Sequence, residues 1–451
     1  MQSELERQLA TWVTAVCGEN VEKLSLIPGG ASRRSFNVLL GNGEQRFLRV
    51  DTGEGPLSGT EMNLDRERRF TEPVAALGVL PIPRIIAFNP HLNALLMEHI
   101  DGYTSYTKTL APEQQRSVER ALVAAIARLH QLDVAELQLP DHANRATISA
   151  AITAALEMWG ELYRNRVTAK DPVTSYALSW LEANIPGGDQ PSVLVHGDVG
   201  PGNFLFSEAG ELRALIDWEL AHIGHPLEDL ACIICRSLGV DFGAPEQLIN
   251  DYEAASASTV DRRQLDYAIV LVLTEWSVGI SMALSRPSVN QDMAMLFFWG
   301  HVNRYELMRI LARLAGKSMP ALPALQAPGM EWDFLSDHVT GVLEEIVLPG
   351  TEDSYLQYRL RALVQLQKAQ QALLQYGVSR YQQEDQAWAE DLTDSRYDSY
   401  EAAMMALLDS AGAAAVQRDE RYMDYLLWRT ARERLLLFAG LGAMTDRRIN
   451  Y

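Results

Sequence analysis

Apolar and polar positions change their rhythm once along this chain, near residue 105. Before it, short alternating runs read as strands: EKLSLIP (22–28), FNVLL (36–40) and QRFLRV (45–50), with Gly41-Asn42-Gly43 as a hairpin turn between the last two. PRIIAF and NALLMEHI, within 83–100, read as a second hairpin, and helices are expected at 1–18 and 60–77. From residue 111 the spacing is helical, at 111–133, 146–168, 172–184, 227–238, 244–256, 261–284 and 289–315, interrupted by a strand-rich insert at 193–217. The stretch 317–332, KSMPALPALQAPGMEW, is rich in proline and poor in charge, as a linker is. Beyond it the pattern is helical again. Leu356, Leu360, Leu363 and Leu374 fall on one stripe, and 422–438 is a strong later helix. The prediction is an α+β protein: a small antiparallel sheet with one crossing helix in 1–104, a mainly helical segment in 105–330, and an all-helical domain in 331–451.

Composition narrows the partners. At 451 residues the chain is too long for one ordinary core, and 47% apolar residues mark it as globular. A formal charge of −20 argues against a nucleic-acid backbone or an anionic membrane as partner. Tyr267–Leu284 is long enough to span a bilayer, but Glu275 interrupts it, and it reads as a buried helix. Three cysteines without a pairing pattern suggest a reducing cytoplasm. Cys232 and Cys235 form a CxxC with no second pair, inside a helical run, and read as core packing.

The chemistry lies in VLVHGDVGPGNFLF (193–206) and ELRALIDWEL (211–220). Asp198, Asn203 and Asp217 fall on two loops at strand ends. Phosphoryl transfer needs such a set: one carboxylate to orient a hydroxyl and take its proton, and a carboxylate with an amide oxygen to hold Mg²⁺ against nucleotide phosphates. Asp198 is therefore the candidate base, and Asn203 and Asp217 the candidate metal ligands. The H-G-D-x(4)-N spacing, followed by I-D-W-E nineteen residues after the first Asp, matches the order kinases use. His196 is expected to brace this loop, Asp229 to tie the next helix to it, and Trp218 and Glu219 to serve packing and loop support. His222 and His225 read as loop residues.

Residues 193–231 resemble the core of the aminoglycoside phosphotransferase family, kinase-like enzymes that phosphorylate small-molecule hydroxyls with ATP. The resemblance covers roughly 20–315. It implies a two-lobed protein-kinase-like fold with ATP and Mg²⁺ in the cleft. PGGASRRSF would supply the phosphate turn through Gly29, Gly30 and Ser32. Arg49 stands where kinases usually carry Lys, and Glu67 on the following helix would hold it. Met97, Glu98 and His99 fit the hinge whose backbone meets adenine.

The Leu48-Arg49 pair resembles the branch of this family fused to acyl-CoA dehydrogenases, which is associated with phosphorylating 4-hydroxyacyl-CoA. That resemblance implies a hydroxyacyl-CoA acceptor. An antibiotic O-phosphotransferase is the alternative enzyme, and a pseudokinase scaffold the alternative of another class. Residues 343–377 resemble a small bacterial helical family found beside kinases of the hydroxyacyl-CoA branch, which implies an accessory domain. A homodimer through that domain is the other reading. Arg429, Arg432 and Arg434 offer cations to CoA phosphates, or else a solvated helix face.

Overall fold

The computed structural model describes residues 4–27, 33–106, 110–140, 144–289, 291–323, 333–441 and 447–449. Gly29, Gly30 and Ser32, and most of the proline-rich stretch, lie outside them. The described chain forms two compact units. One comprises Met1–Ala155, Pro186–Ile269 and Ile449–Tyr451; the other comprises Leu156–Ile185 and Val270–Arg448.

The first unit opens with α1 (Glu4–Cys17) and a five-stranded sheet: β1 (Val21–Ile27), β2 (Arg34–Leu40), β3 (Gln45–Val50), β4 (Ile85–Asn89) and β5 (Ala94–Glu98). The order is β1-β2-β3-β5-β4, and every pair is antiparallel. The period of two sorts β3 cleanly. Leu48 and Val50 join Leu9 and Val13 of α1 in one core, while Phe47 packs on the other side with Leu64 of α2 (Leu64–Ala76), Leu95 and Met97. Arg49 shares that second side and so is aimed toward α2. The helix begins at Leu64 and not at 60, because Asn63 caps it by accepting the Arg66 N–H at 3.0 Å.

The same unit holds α3 (Pro112–Leu129) and four short strands: β6 (Val193–Val195), β7 (Phe204–Phe206), β8 (Leu212–Leu215) and β9 (His222–Gly224). The expected insert is extended by β9, which pairs with β6, while β7 pairs with β8. The two loops between these strands carry Asp198 and Asp217. The unit also holds α6 (Leu227–Arg236) and α7 (Pro245–Ser256); between α3 and β6 the chain forms α4 (Ile148–Arg166), which runs from the first unit into the second, and α5 (Pro172–Ala183) of the second unit. Cys232 and Cys235 are fully buried in α6, as a packing role requires, and burial pushes the Cys232 thiol up.

The second unit is helical. It contains α5, α9 (Met293–Leu314), α10 (Asp333–Val342), α11 (Ser354–Tyr376), α12 (Val378–Thr393), α13 (Tyr400–Gln417) and α14 (Glu420–Leu441). A single π-turn, Leu343–Val347, follows α10. The compact division does not follow the proline-rich stretch: residues 270–323 belong with the helices beyond 333, and α14 packs on both α9 and α11. α8 (Arg262–Leu284) is long and apolar enough to cross a membrane, yet 83% of its most apolar window is buried within the protein.

Two expectations in this unit are corrected. Arg432 is 1% exposed and stacks on Tyr381 with its guanidinium carbon 3.8 Å from the ring centroid. It also pairs with Asp385 at 2.8 Å and Glu384 at 3.0 Å. Arg429 pairs with the same Asp385 and with Glu433. These cations are internal counter-ions, neither solvated nor presented to a ligand. The leucine stripe on α11 is helical as predicted but outward: Leu356, Leu363 and Leu374 are about half exposed.

Candidate active site

Sequence places Arg49 on a strand whose neighbours bury it. Its guanidinium meets Glu67 Oε1 at 2.7 Å, Glu219 Oε2 at 2.9 Å and Asp217 Oδ1 at 2.8 Å. The expected Arg49–Glu67 pair is thus present inside a larger cluster. Arg33, just before β2, donates to the second oxygen of Glu67, lies 3.1 Å from Glu219 Oε2, and donates to the Met62 carbonyl at 2.7 Å. Two guanidiniums therefore face three carboxylates. Glu219 belongs to this cluster, so its support of the loop runs through both arginines. Burial comes first in pushing its carboxyl up to about 7; Asp217 adds to the shift, and Arg49 and Arg33 oppose it. The missed signal was a D-x-E in IDWEL set against two arginines, Arg33 and Arg49, a strand apart.

Asp217 follows β8 with φ 67° and ψ 61°, the left-handed conformation that Asp tolerates better than most residues. Burial works to raise its carboxyl, but Arg49 and Arg33 outweigh that and hold it below the usual carboxylate range. Asp198 is the opposite case. Burial pushes its carboxyl up, Asp217 adds to this, and Arg236 only partly offsets them.

Asn203 donates Nδ2 to the Asp198 carbonyl at 2.7 Å and to Asp198 Oδ2 at 2.6 Å. That leaves its amide oxygen as a candidate ligand atom. That oxygen and an ionised Asp217 are hard oxygen donors of the kind that could hold Mg²⁺. Among the described residues no group of three or more His, Cys, Asp or Glu could hold a metal by itself.

The loop is braced as expected. His196 is buried, its Nε2 lies 3.0 Å from the Ile216 carbonyl, and its ring packs on Trp218 with centroids 4.6 Å apart. Asp229 accepts the His196 and Gly197 N–H groups, each at 2.9 Å, and lies 3.1 Å from His130 Nε2, whose ring reaches Tyr252 through Nδ1. Gly197 has φ +82°, and a Cβ there would lie 2.3 Å from the Leu220 carbonyl oxygen, so no other residue fits. His222 and His225 brace the neighbouring loop against Glu228 and Gln264.

At the predicted hinge, Met97 lies opposite Phe47 and Ile85, inside the sheet. The Glu98 N–H donates to the Arg84 carbonyl at 2.9 Å, which occupies that donor. His99 follows the strand, with Nδ1 3.6 Å from Asp101.

This is the layout of a small-molecule kinase. Residues 23–267, more than half of the chain, match the phosphotransferase enzyme family (APH), and the chain belongs to that family. Among curated relatives it is 26% identical over 236 residues to acyl-CoA dehydrogenase family member 11 of Homo sapiens, across 50% of this chain and 30% of that protein. The Gallus gallus protein of the same name matches at 26% over 239 residues, 51% of this chain and 30% of its own length. The chain thus spans under a third of these relatives. Among solved structures, a thermostable mutant of aminoglycoside phosphotransferase APH(4)-Ia, in ternary complex with AMP-PNP and hygromycin B, aligns with a TM-score of 0.50. Identity is 17%, over 69% of this chain and all of that one, which speaks to a common α+β, kinase-like fold.

Proposed function

We propose that this chain transfers the γ-phosphoryl group of ATP, with Mg²⁺, to a small-molecule hydroxyl, and that the acceptor is a hydroxyacyl-CoA of the 4-hydroxyacyl type. The observation that carries the first part is the meeting of Asp198, Asn203 and Asp217 on adjacent loops, with Arg49 reaching from β3 to Asp217 and Glu67 together. Asp198 takes the proton of the acceptor hydroxyl as its oxygen bonds to the γ-phosphorus and ADP leaves. Asn203 Oδ1 and Asp217 hold the metal. Bound there, Mg²⁺ neutralises phosphate charge. Arg49, kept in place by Glu67, offers its positive charge and its remaining N–H groups to phosphate oxygens. Of the hinge residues, His99 follows the last strand of the sheet, and its backbone is the part of the hinge that meets adenine.

The acceptor assignment is supported by the Leu48-Arg49 strand and by relatives that carry an acyl-CoA dehydrogenase name. Residues 331–451 are assigned to serving the acceptor, since every charged group of the site lies before residue 240. The exposed α11 stripe is the place where a homodimer would form. The protein works in the cytoplasm on this reading. An antibiotic O-phosphotransferase is the second reading, favoured by the hygromycin B of the structural relative.

An ATP-consumption screen with hydroxyacyl-CoAs, free hydroxy acids, aminoglycosides and macrolides tests the assignment. Turnover confined to hydroxyacyl-CoAs is expected; turnover confined to an antibiotic would replace the acceptor. In the same assay Asp198→Asn should lower kcat about a hundredfold or more while Mg·ATP still binds.

A further inference from the structure

α6 grips the catalytic loop at both ends. Asp229, in its first turn, holds the two N–H groups where the loop begins. Seven residues on, two turns along the same face and roughly 10 Å away, Arg236 ends the helix. Its Nη2 pairs with Asp198 Oδ2 and lies 3.3 Å from the Asp198 carbonyl; its Nη1 lies 3.4 Å from the Pro201 carbonyl. The loop is built around this side chain. A Cβ at Gly200, where φ is +143°, would fall 2.8 Å from Arg236 Cγ, so the Gly200-Pro201-Gly202 turn leaves the path that the arginine stem occupies.

We propose that Arg236 is a positioning residue that selects which oxygen of Asp198 receives the acceptor's proton. This rests on the reading of Asp198 as the base. Arg236 and Asn203 Nδ2 both occupy Oδ2, and both also hold the Asp198 main-chain carbonyl. The carboxylate is thereby fixed in rotation, and Oδ1 is left for the hydroxyl. A lysine could match the charge but could not span the carboxylate and two backbone carbonyls at once, because its ammonium is a point donor.

The test uses the full chain, comparing Arg236→Met, Arg236→Lys and Gly200→Ala alone and over Asp198→Asn. Turnover is read as ADP release with the best acceptor of the screen, or with water if none exceeds it. Expected is a kcat loss of about tenfold or more for Arg236→Met, with the KM for ATP within about twofold, a smaller loss for Arg236→Lys, and a loss for Gly200→Ala, which keeps every functional group. Over Asp198→Asn, Arg236→Met should cost less than about threefold, since its route to the reaction is already removed. Should Arg236→Met melt before assay, Arg236→Lys with an unchanged melting temperature and a lowered kcat carries the same expectation. Wild-type kcat in Arg236→Lys and Arg236→Met, or an equal loss in both backgrounds, overturns the role. Full turnover by Asp198→Asn alone instead overturns the base assignment, so the two failures are distinct.

Discussion

Arg49 illustrates how one residue can be read correctly and still be incompletely understood. Its place on β3 and its pairing with Glu67 follow from strand alternation and helix spacing. That it also meets Asp217 and Glu219 depends on a loop about 170 residues away. Arg49→Ala and Glu67→Ala should each raise the KM for ATP by roughly tenfold or more, the scale of a charged hydrogen bond. The double variant should cost less than the sum, because the groups share contacts; steady-state kinetics against ATP checks this, and strict additivity would count against a shared clamp. Arg33 and Glu219 were not legible as site residues. Neither has a local pattern, since their partners come from other elements. Gly197 is a sharper case: Gly197→Ala should destabilise the fold by about 2–4 kcal/mol, read as a lowered denaturation midpoint, because the clash is with backbone and not with a flexible tip.

Elements were the most legible level. Helix starts are written in caps, as Asn63, Asp171, Asp292, Asp353 and Ser399 each accept a backbone N–H of the first turn. Burial was less legible than helicity. The α11 stripe has the spacing of a core face, yet periodicity states only that one face is apolar, not that something covers it. Leu356→Lys and Leu363→Lys should therefore change stability by less than about 0.5 kcal/mol in dilute solution, whereas a large loss that grows with dilution would reveal an oligomer. α6 supplies a pH test. Burial works to raise the Asp229 carboxyl, but His130 and the loop N–H groups outweigh it and hold it below its ordinary value. A depressed carboxylate contributes stability that is present above the unfolded pKa, about 3.9, and is lost as pH falls through the lower folded value. Wild type should lose melting temperature steeply below about pH 4, and Asp229→Asn, starting less stable, should show a flatter acid limb.

For the whole molecule, the family was legible because H-G-D-x(4)-N and I-D-W-E are short, ordered and chemically specific. The division of the chain was not. Proline content marks a stretch that does not continue a helix, but compactness is decided by which helices pack together. Residues 270–323 fall in one unit with 333–448. Ending the chain after Pro328 would strip α14 from α9, and the shortened protein should aggregate or melt at least about 5 °C lower, the scale of a kcal/mol or more in a domain this size. A shortened protein that is monodisperse, with the melting temperature of the full chain, would move the boundary back to the proline-rich stretch.

By itself, then, the sequence determined the strands, most helices and the α+β class, and it set Asp198, Asn203 and Asp217 within twenty residues of one another, since these depend on spacing within a few tens of residues. Only the tertiary structure decided that Glu219 joins a cluster of five ionisable groups, that Arg236 reaches Asp198, that Arg432 is an internal counter-ion, and that Leu356, Leu363 and Leu374 on α11 are left about half exposed. Each of these is a contact or an absence of contact between segments far apart in the chain. Charge and hydrophobicity are properties of a residue, but which charge neutralises another, and which apolar face meets a partner, is set only when distant elements pack.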